Sequence, residues 1–355
     1  MAAGGGGDAV GALLARRALG DTDERPPLVT TCAWERLRID PVPGPRARAD
    51  FTGLGLVGGE PFEVQPTTDT LPSGRSVLPR LAETSGARIF LHDFEDGAVG
   101  LSGQLQRLAA SLEVDKLVVV DVGGDIVARG PEPDLRSPLA DSLTLAAALG
   151  TGIPMSVVVL GPGADAELPQ NDVIRLLGGV GAVAVGSVTA DDVRDLQPVL
   201  SWHPTEATAL TAAGAEGVRG AVAMRRGREP VPVTEFTASV WVIRNPTVGS
   251  FPLALALLAT ENLSQAERVV RTLAVNEIDF EREIAEDRKA CRFPVGVTGL
   301  MAEMKGVGAT HITDRRLSEA LGRETGNAVG SRHGTGGLWS IADLASLMRM
   351  NSRSR

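Results

Sequence analysis

The sequence predicts an α/β protein built on a Rossmann-like, largely parallel sheet with helices on both faces. Short apolar runs alternate with helical patterns over most of its 355 residues, which is typical of such a sheet. The run Leu117–Val122 is continuous and rich in β-branched residues, as expected of a central parallel strand. Glycine or a carboxylate closes most of the runs. Since ligands of these sheets bind at the carboxyl ends of strands, the closing residues are candidates for a site.

The first half of the chain is regular. Its opening glycine turn, Gly4–Gly7, leads into a small-residue helix but follows only three residues, so we expect the first strand to be very short or to begin upstream of Met1. Prolines make Asp40–Arg46 a surface loop. The other strands, all short apolar runs, are predicted at Leu28–Cys32, Arg88–Leu91, Lys116–Val122, Met155–Leu160 and Val180–Val185. The helices between them are predicted at 75–87, Leu101–Leu112, Asp141–Gly150 and Leu168–Leu177.

The second half is less regular, and a small C-terminal appendage ends it. Pro204 indicates the first turn of an alanine-rich helix, and Ser264–Glu267 matches a capping box. Apolar runs predict strands at Ala221–Met224, Ala238–Ile243 and Thr310–Thr313. Further helices are predicted at Pro252–Ala259, Arg315–Gly322 and Ser340–Met350. We therefore expect an α/β core over residues 1–286, with two lobes that meet near 190–200, and a C-terminal extension over residues 287–355.

Composition excludes several classes of protein. A net charge of -9 and a pI near 5.1 argue against binding nucleic acid through its phosphates, and 3% aromatic residues offer few faces for base stacking. No apolar run approaches the ~20 residues of a membrane helix, and the N-terminus lacks the pattern of a secretory signal. Two cysteines, Cys32 and Cys291, fit a reducing compartment. We expect a cytoplasmic protein, and a homo-oligomer would use Pro252–Ala259 unless that helix is core.

The turn Gly4–Asp8 is the sharpest signal for a ligand. Four glycines let backbone N–H groups approach a ligand closely, and the N-terminus of the following helix favours an anion. The acidic residue that a dinucleotide-binding motif carries about 20 positions later is not evident. Asp8 would repel a phosphate unless a metal or a ligand donor intervenes. The alternative is a tight turn with close helix packing, in which Asp8 caps the helix.

Polar residues follow two of the predicted strands. His92 and Asp93 follow one of them, and Asp121 and Asp125 end the next, which we expect to be its neighbour. Carboxylates gathered there could hold a divalent cation, with Asp93, Asp121 and Asp125 as ligands, or act as general acid and base. Mg²⁺ is the candidate cofactor because all the donors are oxygen. The alternative is a set of solvated loop residues and helix caps.

Two further groups of residues could complete the site. His203 and Glu206 are three apart at a helix start, where a carboxylate could orient an imidazole for general-base catalysis, unless they only cap the helix. The second group surrounds the proline-rich loop and consists of Trp34, Glu35, Arg36 and Arg46. An indole face and two guanidinium groups suit a planar or anionic ligand. Alternatively, Trp34 covers a sheet edge and the arginines are solvated.

The assembled pattern resembles DUF1152, a family of archaeal and actinobacterial proteins of unknown function. The resemblance lies in three segments: residues 3–12, Trp34–Arg36 together with residues 40–46, and residues 121–125. Residues 137–141 and 203–208 are similar to the family pattern as well. Together these segments cover roughly residues 3–285. This chain departs from the pattern where the strand before the glycines is almost absent. The resemblance implies a shared scaffold and brings no activity with it.

The leading hypothesis is an enzyme, a transferase or hydrolase, that binds a phosphorylated or nucleotide-like small molecule. Gly4–Gly7 and Asp8 would form the anion site, with Arg36 or Arg46 assisting, while Asp121 and Asp125 supply acid–base groups or hold Mg²⁺. One alternative is a non-catalytic binding or sensor protein that needs the glycine turn and Trp34 but no carboxylates. A less favoured one is an NAD(P)-dependent oxidoreductase. Fold analogy does not decide among them.

Overall fold

Strands and helices alternate in the computed structural model, which describes residues 1–72, 74–224, 229–287, 296–321 and 337–353. The strands are β1 (Leu28–Thr31), β2 (Phe51–Thr52), β3 (Gly55–Val57), β4 (Glu60–Val64), β5 (Asp69–Thr70), β6 (Arg88–Leu91), β7 (Leu117–Val122), β8 (Met155–Leu160), β9 (Val183–Ser187), β10 (Gly220–Ala223), β11 (Val231–Val233), β12 (Ser239–Arg244), β13 (His311–Thr313) and β14 (Leu338–Ser340). The helices are α1 (Gly6–Ala18), α2 (Leu78–Thr84), α3 (Gly97–Ser111), α4 (Pro138–Gly150), α5 (Gln170–Gly179), α6 (Ala190–Leu200), α7 (Ala207–Ala215), α8 (Pro252–Leu257), α9 (Leu263–Val270), α10 (Glu277–Asp287), α11 (Gly296–Gly306), α12 (Asp314–Ala320) and α13 (Ile341–Arg353). The protein is a mixed α/β protein.

The sheets contain both parallel and antiparallel pairs. One sheet has the order β7–β8–β12–β9, and its β7–β8 pair is parallel while β12 runs antiparallel to β8 and β9. A second has the order β1–β6–β4–β3, in which β1–β6 is parallel and the other two pairs are antiparallel. The prediction of a largely parallel sheet is therefore too simple. The β3–β4 pair has a local cause, because its two-residue Gly58–Gly59 turn, with φ of 60° and 86°, can only join antiparallel strands.

The three residues before the glycine turn lie between these two sheets. The Ala2 amide donates to the Thr30 carbonyl of β1 at 2.8 Å, and the Ala3 amide donates to the Val120 carbonyl of β7 at 2.8 Å. On the β7 side, Ala2 forms a parallel bridge with Val120. The segment occupies the position of a short strand, and it delivers the glycine turn to the carboxyl ends of β1 and β7.

Close packing fixes α1 against β7. A methyl group on Gly11 would place its carbon 2.2 Å from Val122 Cγ2, so only glycine lets the helix approach the strand this closely. Helix α4 begins with Pro138 at its first position, three residues before the predicted start, and is buried over most of its length. These contacts bring the first turns of α1 and α4 to the end of β7.

Two helices differ from their predictions, one in where it begins and the other in its role. Helix α7 begins at Ala207, so Pro204 lies in the turn before it rather than in its first turn. Helix α8 buries Leu253, Ala254 and Leu257, which makes the helix considered for an interface a core element. In the described ranges, no helix combines the length and the apolar character needed to cross a membrane.

The C-terminal extension completes a third sheet, whose order is β11–β10–β13–β14. Strand β10 pairs in parallel with β13, placing Val222 opposite His311, and β14 runs antiparallel to β13. Two of the four strands thus come from residues after 287. The extension is joined to the rest of the chain by backbone pairing as well as by side chains.

Candidate functional site

The glycine turn is enclosed by protein on several sides. A methyl group on Gly5 would place its carbon 2.7 Å from the Trp34 carbonyl oxygen, and one on Gly7 would lie 3.2 Å from Thr205 Oγ1. The glycines therefore permit close packing, which is what the alternative interpretation, a tight turn with close helix packing, requires. Within the described residues, the amides of Gly5, Gly6 and Gly7 have no protein acceptor, as first-turn amides of a helix commonly do not. The turn thus combines tight packing with three amides that have no acceptor among the described residues.

Three aspartates converge at the end of β7. Asp8 lies in the first turn of α1, Asp121 is the fifth residue of β7, and Asp141 lies in the first turn of α4. One carboxylate oxygen of each lies within 4.8 Å of the other two. Asp121 and Asp141 are only 1% and 5% exposed. The three form a compact carboxylate cluster beside the glycine turn.

The carboxylate oxygens of this cluster differ in how many hydrogen bonds they accept. Asp8 Oδ2 accepts a hydrogen bond from the Gly4 amide at 2.8 Å, and Asp121 Oδ2 accepts a long one from the Ile126 amide at 3.4 Å. Asp141 Oδ1 is buried and has no hydrogen-bond partner in the part of the chain that the structure describes. A buried oxygen without a partner is costly, so this atom marks a place where a ligand would be stabilising.

Burial and mutual repulsion favour protons on these carboxyls. Burial raises the pKa of Asp8 to about 6, although hydrogen bonds from the Gly4 and Val122 amides and the charge of Arg36 act against it. Burial, followed by the charge of Asp8, raises the pKa values of Asp121 and Asp141 well above the usual range. Three carboxylates this close cannot all stay ionised without a positive charge among them.

A second layer of acidic residues surrounds the cluster. Asp125 follows Gly123–Gly124, whose φ angles of 127° and 103° favour glycine, and a methyl group on Gly123 would collide with Asp165. Burial raises the pKa of Asp125 well above its usual range, and the charges of Asp141 and Asp121 add to the effect. We count Asp125 with Asp121 in one acidic centre, because the charge of Asp121 contributes to its raised pKa.

Helix α10 brings another acid to this centre. Glu277 is buried, and its Oε2 has no partner in the described ranges. Burial raises the pKa of Glu277 well above its usual range, and the charge of Glu281 adds to this effect while that of Arg36 opposes it.

Arg36 is the cation among these acids. Its side chain stays exposed to solvent although protein atoms surround it, as expected of a residue that lines a cleft. Burial alone would lower the pKa of Arg36, but the charges of four glutamates outweigh burial and raise it: Glu167, Glu277, Glu206 and Glu281. The charge of Arg36 also lowers the pKa of Asp8, as expected of a cation in its vicinity.

The neighbours of Arg36 in the sequence have structural partners. Trp34 is buried and donates through Nε1 to Glu281 Oε2 at 3.0 Å. Arg46 makes a two-pronged ion pair with Asp40, with N···O distances of 2.6 and 2.7 Å, and this pair ties the proline-rich loop together.

Glu35 is held on the other side of this segment. One of its oxygens accepts from Ser76 Oγ at 3.1 Å and from the Val77 amide at 2.9 Å. Burial raises the pKa of Glu35 to about 7, and the two hydrogen bonds act in the opposite direction.

His92 and Asp93 lie in a different set of contacts. The prediction that β6 and β7 are neighbours is wrong, because β6 pairs with β1 and β4 while residues 1–3 pair with β7. Burial raises the pKa of Asp93, but hydrogen bonds from Arg48, with Nε at 3.0 Å, outweigh it and lower the pKa overall. His92 is buried with Nδ1 2.9 Å from Thr30 Oγ1, and burial lowers its pKa to about 3. The cation site predicted from Asp93, Asp121 and Asp125 stays a prediction, whereas the three carboxylates found within 4.8 Å of one another are those of Asp8, Asp121 and Asp141.

His203 and Glu206 close the other side of the glycine turn. His203 is buried, accepts from the Thr205 amide through Nδ1 at 3.2 Å, and lies against Gly6. The two oxygens of Glu206 accept from Thr313 Oγ1 and from Arg315 Nε, both in the C-terminal extension. Glu206 therefore anchors the extension, and it begins α7 as its N-terminal flanking residue.

A cavity of about 370 Å³ lies on this side of the turn. Its walls include side chains from the core and from the extension: Ser76, Arg80, Trp202, Thr205, Glu206 and Arg315. The guanidinium of Arg80 lies 4.3 Å from the centre of the Trp202 ring. Because Val77 and Thr205 contact Gly6 and Gly7 and also line the cavity, it adjoins the glycine turn. Its volume is within the range of small-molecule sites.

The family model described as "Protein of unknown function (DUF1152)" matches residues 1–285. The chain belongs to the DUF1152 family. The acidic centre, Arg36 and the glycine turn all lie within the DUF1152 match, whereas Thr313 and Arg315 lie beyond it. No curated protein and no solved structure matches the chain.

Sequence inspection did not single out Asp141, Glu167, Glu277 and Glu281 as site residues. Asp141 is part of the Ser137–Asp141 segment, where a proline at the first helical position is the available signal. Glu277 gives no local signal, because only packing brings α10 to this centre. Of the cysteines, Cys32 is buried and burial raises its pKa well above the usual value, while Cys291 lies outside the described residues.

Proposed function

We propose that this protein is a cytoplasmic enzyme that binds a phosphorylated or nucleotide-like small molecule and carries out group transfer or hydrolysis on it. One observation carries the proposal. The amides of Gly5–Gly7 in the turn before Asp8 have no acceptor among the described residues, a carboxylate oxygen of Asp8 lies within 4.8 Å of one of Asp121, and the charge of Arg36 lowers the pKa of Asp8. The charge of Asp121 adds to the raised pKa of Asp125. Donors for an anion and groups that can exchange protons thus share one site.

The arrangement of strands supports a Rossmann-like interpretation of the site. From the pairs β1–β6 and β7–β8, the Ala2–Val120 bridge and the bond from the Ala2 amide to the Thr30 carbonyl, we infer the order β6, β1, residues 1–3, β7, β8. The glycine turn follows the central element, which is where the order of the strands reverses direction. Ligands of open α/β sheets bind at such points.

The charges around the glycine turn both attract and repel a phosphate group. The N-terminus of α1 and Arg36 attract a phosphate, whereas an ionised Asp8 in the same first turn repels it. A proton or a cation on the carboxylate cluster removes this repulsion. The neighbouring cavity, with Arg80 and Trp202 in its wall, has room for the organic part of the ligand.

The acidic centre can supply the proton transfers of hydrolysis. A water oxygen forms a bond to phosphorus while the bond from phosphorus to the leaving oxygen breaks. A carboxylate takes the proton of the water, and a protonated carboxyl gives a proton to the leaving oxygen. Asp125 is the residue that we assign to proton transfer, because it is buried and because burial and the charges of Asp141 and Asp121 raise its pKa well above the usual range.

A thermal-shift experiment tests the binding. Purified full-length protein is heated with ATP, glucose 6-phosphate, inorganic phosphate or NAD⁺, each with and without Mg²⁺. A ligand at about 100 times its Kd adds about 2.7 kcal/mol to stability, a readily measured rise in Tm. We expect a phosphorylated compound to raise Tm, and Arg36→Gln to reduce the rise. The control is Arg175→Gln, which removes an exposed guanidinium paired with Asp172. No rise with any phosphorylated compound would contradict the proposal.

Turnover separates an enzyme from a sensor. Compounds that raise Tm are incubated with the protein, and release of phosphate is measured for the wild type and for Asp125→Asn. We expect the variant to bind the compound but to lose turnover at least about 100-fold. Full activity in Asp125→Asn would remove that residue from the mechanism. Binding without turnover of any compound would favour the sensor, and binding of NAD⁺ alone would favour the oxidoreductase.

A further inference from the structure

We propose that Asp8, Asp121 and Asp141 bind one hard divalent cation, Mg²⁺ or Mn²⁺, beside Gly4. The proposal goes beyond the function proposed above, because a cation at these residues can be measured whether or not a phosphorylated compound binds. Two independent observations support it: the distances within the carboxylate cluster, and a buried oxygen that has no partner.

The distances suit a shared ion. An octahedral Mg²⁺ with ligands at about 2.1 Å separates its oxygen ligands by about 3 to 4.2 Å. One oxygen from each of the three aspartates already lies within 4.8 Å of the others. The three side chains come from α1, β7 and α4, and the close contact of Gly11 with Val122 holds α1 and β7 together. Small movements of the side chains are enough to close the shell on one side of an ion.

The unpartnered oxygen lies beside Gly4, next to an oxygen of Asp8. Asp141 is 5% exposed, and its Oδ1 has no hydrogen-bond partner among the residues described. A methyl carbon on Gly4 would lie 3.2 Å from this Oδ1 and 2.8 Å from Asp8 Oδ2, so both oxygens flank Gly4. Protein amides satisfy Asp8 and Asp121 only in part, through the N–H groups of Gly4 and Val122 for Asp8 and of Ile126 and Gly124 for Asp121. A cation would satisfy the remaining lone pairs of all three.

The donor set favours a hard ion. All three ligands are carboxylates, whereas zinc sites in proteins use mainly cysteine and histidine. Ca²⁺ takes six to eight oxygens, and three aspartates that each offer one oxygen leave too much of that shell to water. Mg²⁺ commonly keeps several waters and binds through a few carboxylates and a substrate phosphate. The remaining positions of the ion would be open to water, or to an anion held by Arg36 and the glycine turn.

Binding of Mn²⁺ to the full-length protein tests the site directly. The protein is stripped with EDTA, dialysed, and titrated with Mn²⁺ by calorimetry and by electron paramagnetic resonance, with no phosphate present. We expect one Mn²⁺ per chain, competition by Mg²⁺, and a rise in Tm with either ion. Absence of Mn²⁺ binding by the stripped wild type would overturn the proposal, and this measurement depends on no variant.

Matched variants locate the ion. Asp141→Asn and Asp121→Asn keep the shape of the side chain and remove a charge, and we expect each to weaken Mn²⁺ binding at least about tenfold. Asp172→Asn is the control, since this aspartate lies in the first turn of α5 and is half exposed beside Arg175. Circular dichroism verifies that each variant is folded. Binding with wild-type affinity in both Asp141→Asn and Asp121→Asn would overturn the assignment of the ligands.

The outcomes separate this site from the proposed function. Mn²⁺ binding without any effect of phosphorylated compounds would support the cation site and contradict the function. If a phosphorylated compound raises Tm but the protein binds no Mn²⁺, the proposed function is supported and the cation site is contradicted.

Discussion

Asp8 Oδ2 and Asp141 Oδ1 flank Gly4 from two different helices, at 2.8 and 3.2 Å from the point where a methyl carbon on Gly4 would lie. The two residues are 133 positions apart in the chain, and their approach depends on the packing of α1 and α4 at the end of β7. Gly4 is thus as much a part of the acidic centre as the carboxylates that surround it. Several measurable consequences follow from this arrangement.

Gly4→Ala should weaken both the site and the fold. The added methyl group displaces Asp8 Oδ2 and Asp141 Oδ1, and crowding of this kind in a packed region costs about 1–3 kcal/mol. Urea unfolding gives the loss of stability, and Mn²⁺ titration gives the loss of binding. Gly178→Ala in α5 is the matched control, because nothing lies within 4 Å of its added carbon, and we expect it to be neutral or stabilising. Wild-type Mn²⁺ affinity in Gly4→Ala would contradict the assigned position of the ion.

Glu35→Gln should change how stability depends on pH. Burial raises the pKa of Glu35 from 4.5 to about 7, so ionising it in the folded state is unfavourable. Both states hold the proton below pH 4.5, and the unfolded chain releases it first as the pH rises. Folding stability therefore falls between pH 4.5 and 7 and then levels, by about 3 kcal/mol at about 1.36 kcal/mol per pKa unit.

Glutamine keeps the oxygen that accepts from Ser76 and Val77 but has no charge to bury. Urea unfolding at pH 5 and pH 8 compares the two proteins. We expect Glu35→Gln to gain stability over the wild type only at the higher pH. An equal difference at both pH values would show that Glu35 is already ionised at pH 5.

Asp93→Asn should destabilise the fold without changing the cation site. Arg48 donates to this carboxylate through Nε and through its backbone amide, and the pKa of Asp93 is lowered overall. A lowered pKa stabilises the folded state above the unfolded value of about 3.9, and this contribution disappears as the pH falls through the folded value. We expect a loss of about 1–3 kcal/mol at pH 7 and a smaller one near pH 3.

The same variant distinguishes the two cation sites considered for this chain. Mn²⁺ titration of Asp93→Asn at pH 7 should give wild-type affinity, since Asp93 pairs with Arg48 rather than with the carboxylate cluster. A tenfold weaker affinity in this variant would instead support the set predicted from the sequence, which combined Asp93 with Asp121 and Asp125.

Arg315→Ala should loosen the C-terminal extension. Arg315 donates to Glu206 and, through Nη2 at 3.1 Å, to the Met224 carbonyl oxygen. Losing these partly buried bonds costs about 1–3 kcal/mol. Hydrogen exchange should become faster in β13 and α12 and stay unchanged in β7. Arg194→Ala, which removes an exposed pair with Asp191, is the control with no measurable effect. Unchanged exchange in β13 would show that backbone pairing alone holds the extension.

Local patterns predicted those parts of this protein that local physics decides. The continuous β-branched run marked β7, and the glycines marked the turn before α1, so Asp8, Asp121 and Asp125 could be singled out. The order of the strands could not be predicted, because it depends on which edges pair, and the prediction that grouped Asp93 with Asp121 assumed that β6 and β7 are neighbours, which is wrong. Asp141 and Glu277 escaped notice because α4 and α10 reach the acidic centre only through tertiary packing.

Strand β10 has a neighbour on each side only because β13 pairs with it. If the chain ended near residue 287, the edge of β10 that pairs with β13 at Ala223 would lose its parallel partner. The backbone amides and carbonyls along this edge would then be open to other molecules. Exposed edges of this kind pair with edges of further copies, which leads to aggregation. We therefore expect shortened chains to aggregate, and they should be judged by light scattering before any loss of ligand binding in them is attributed to the site.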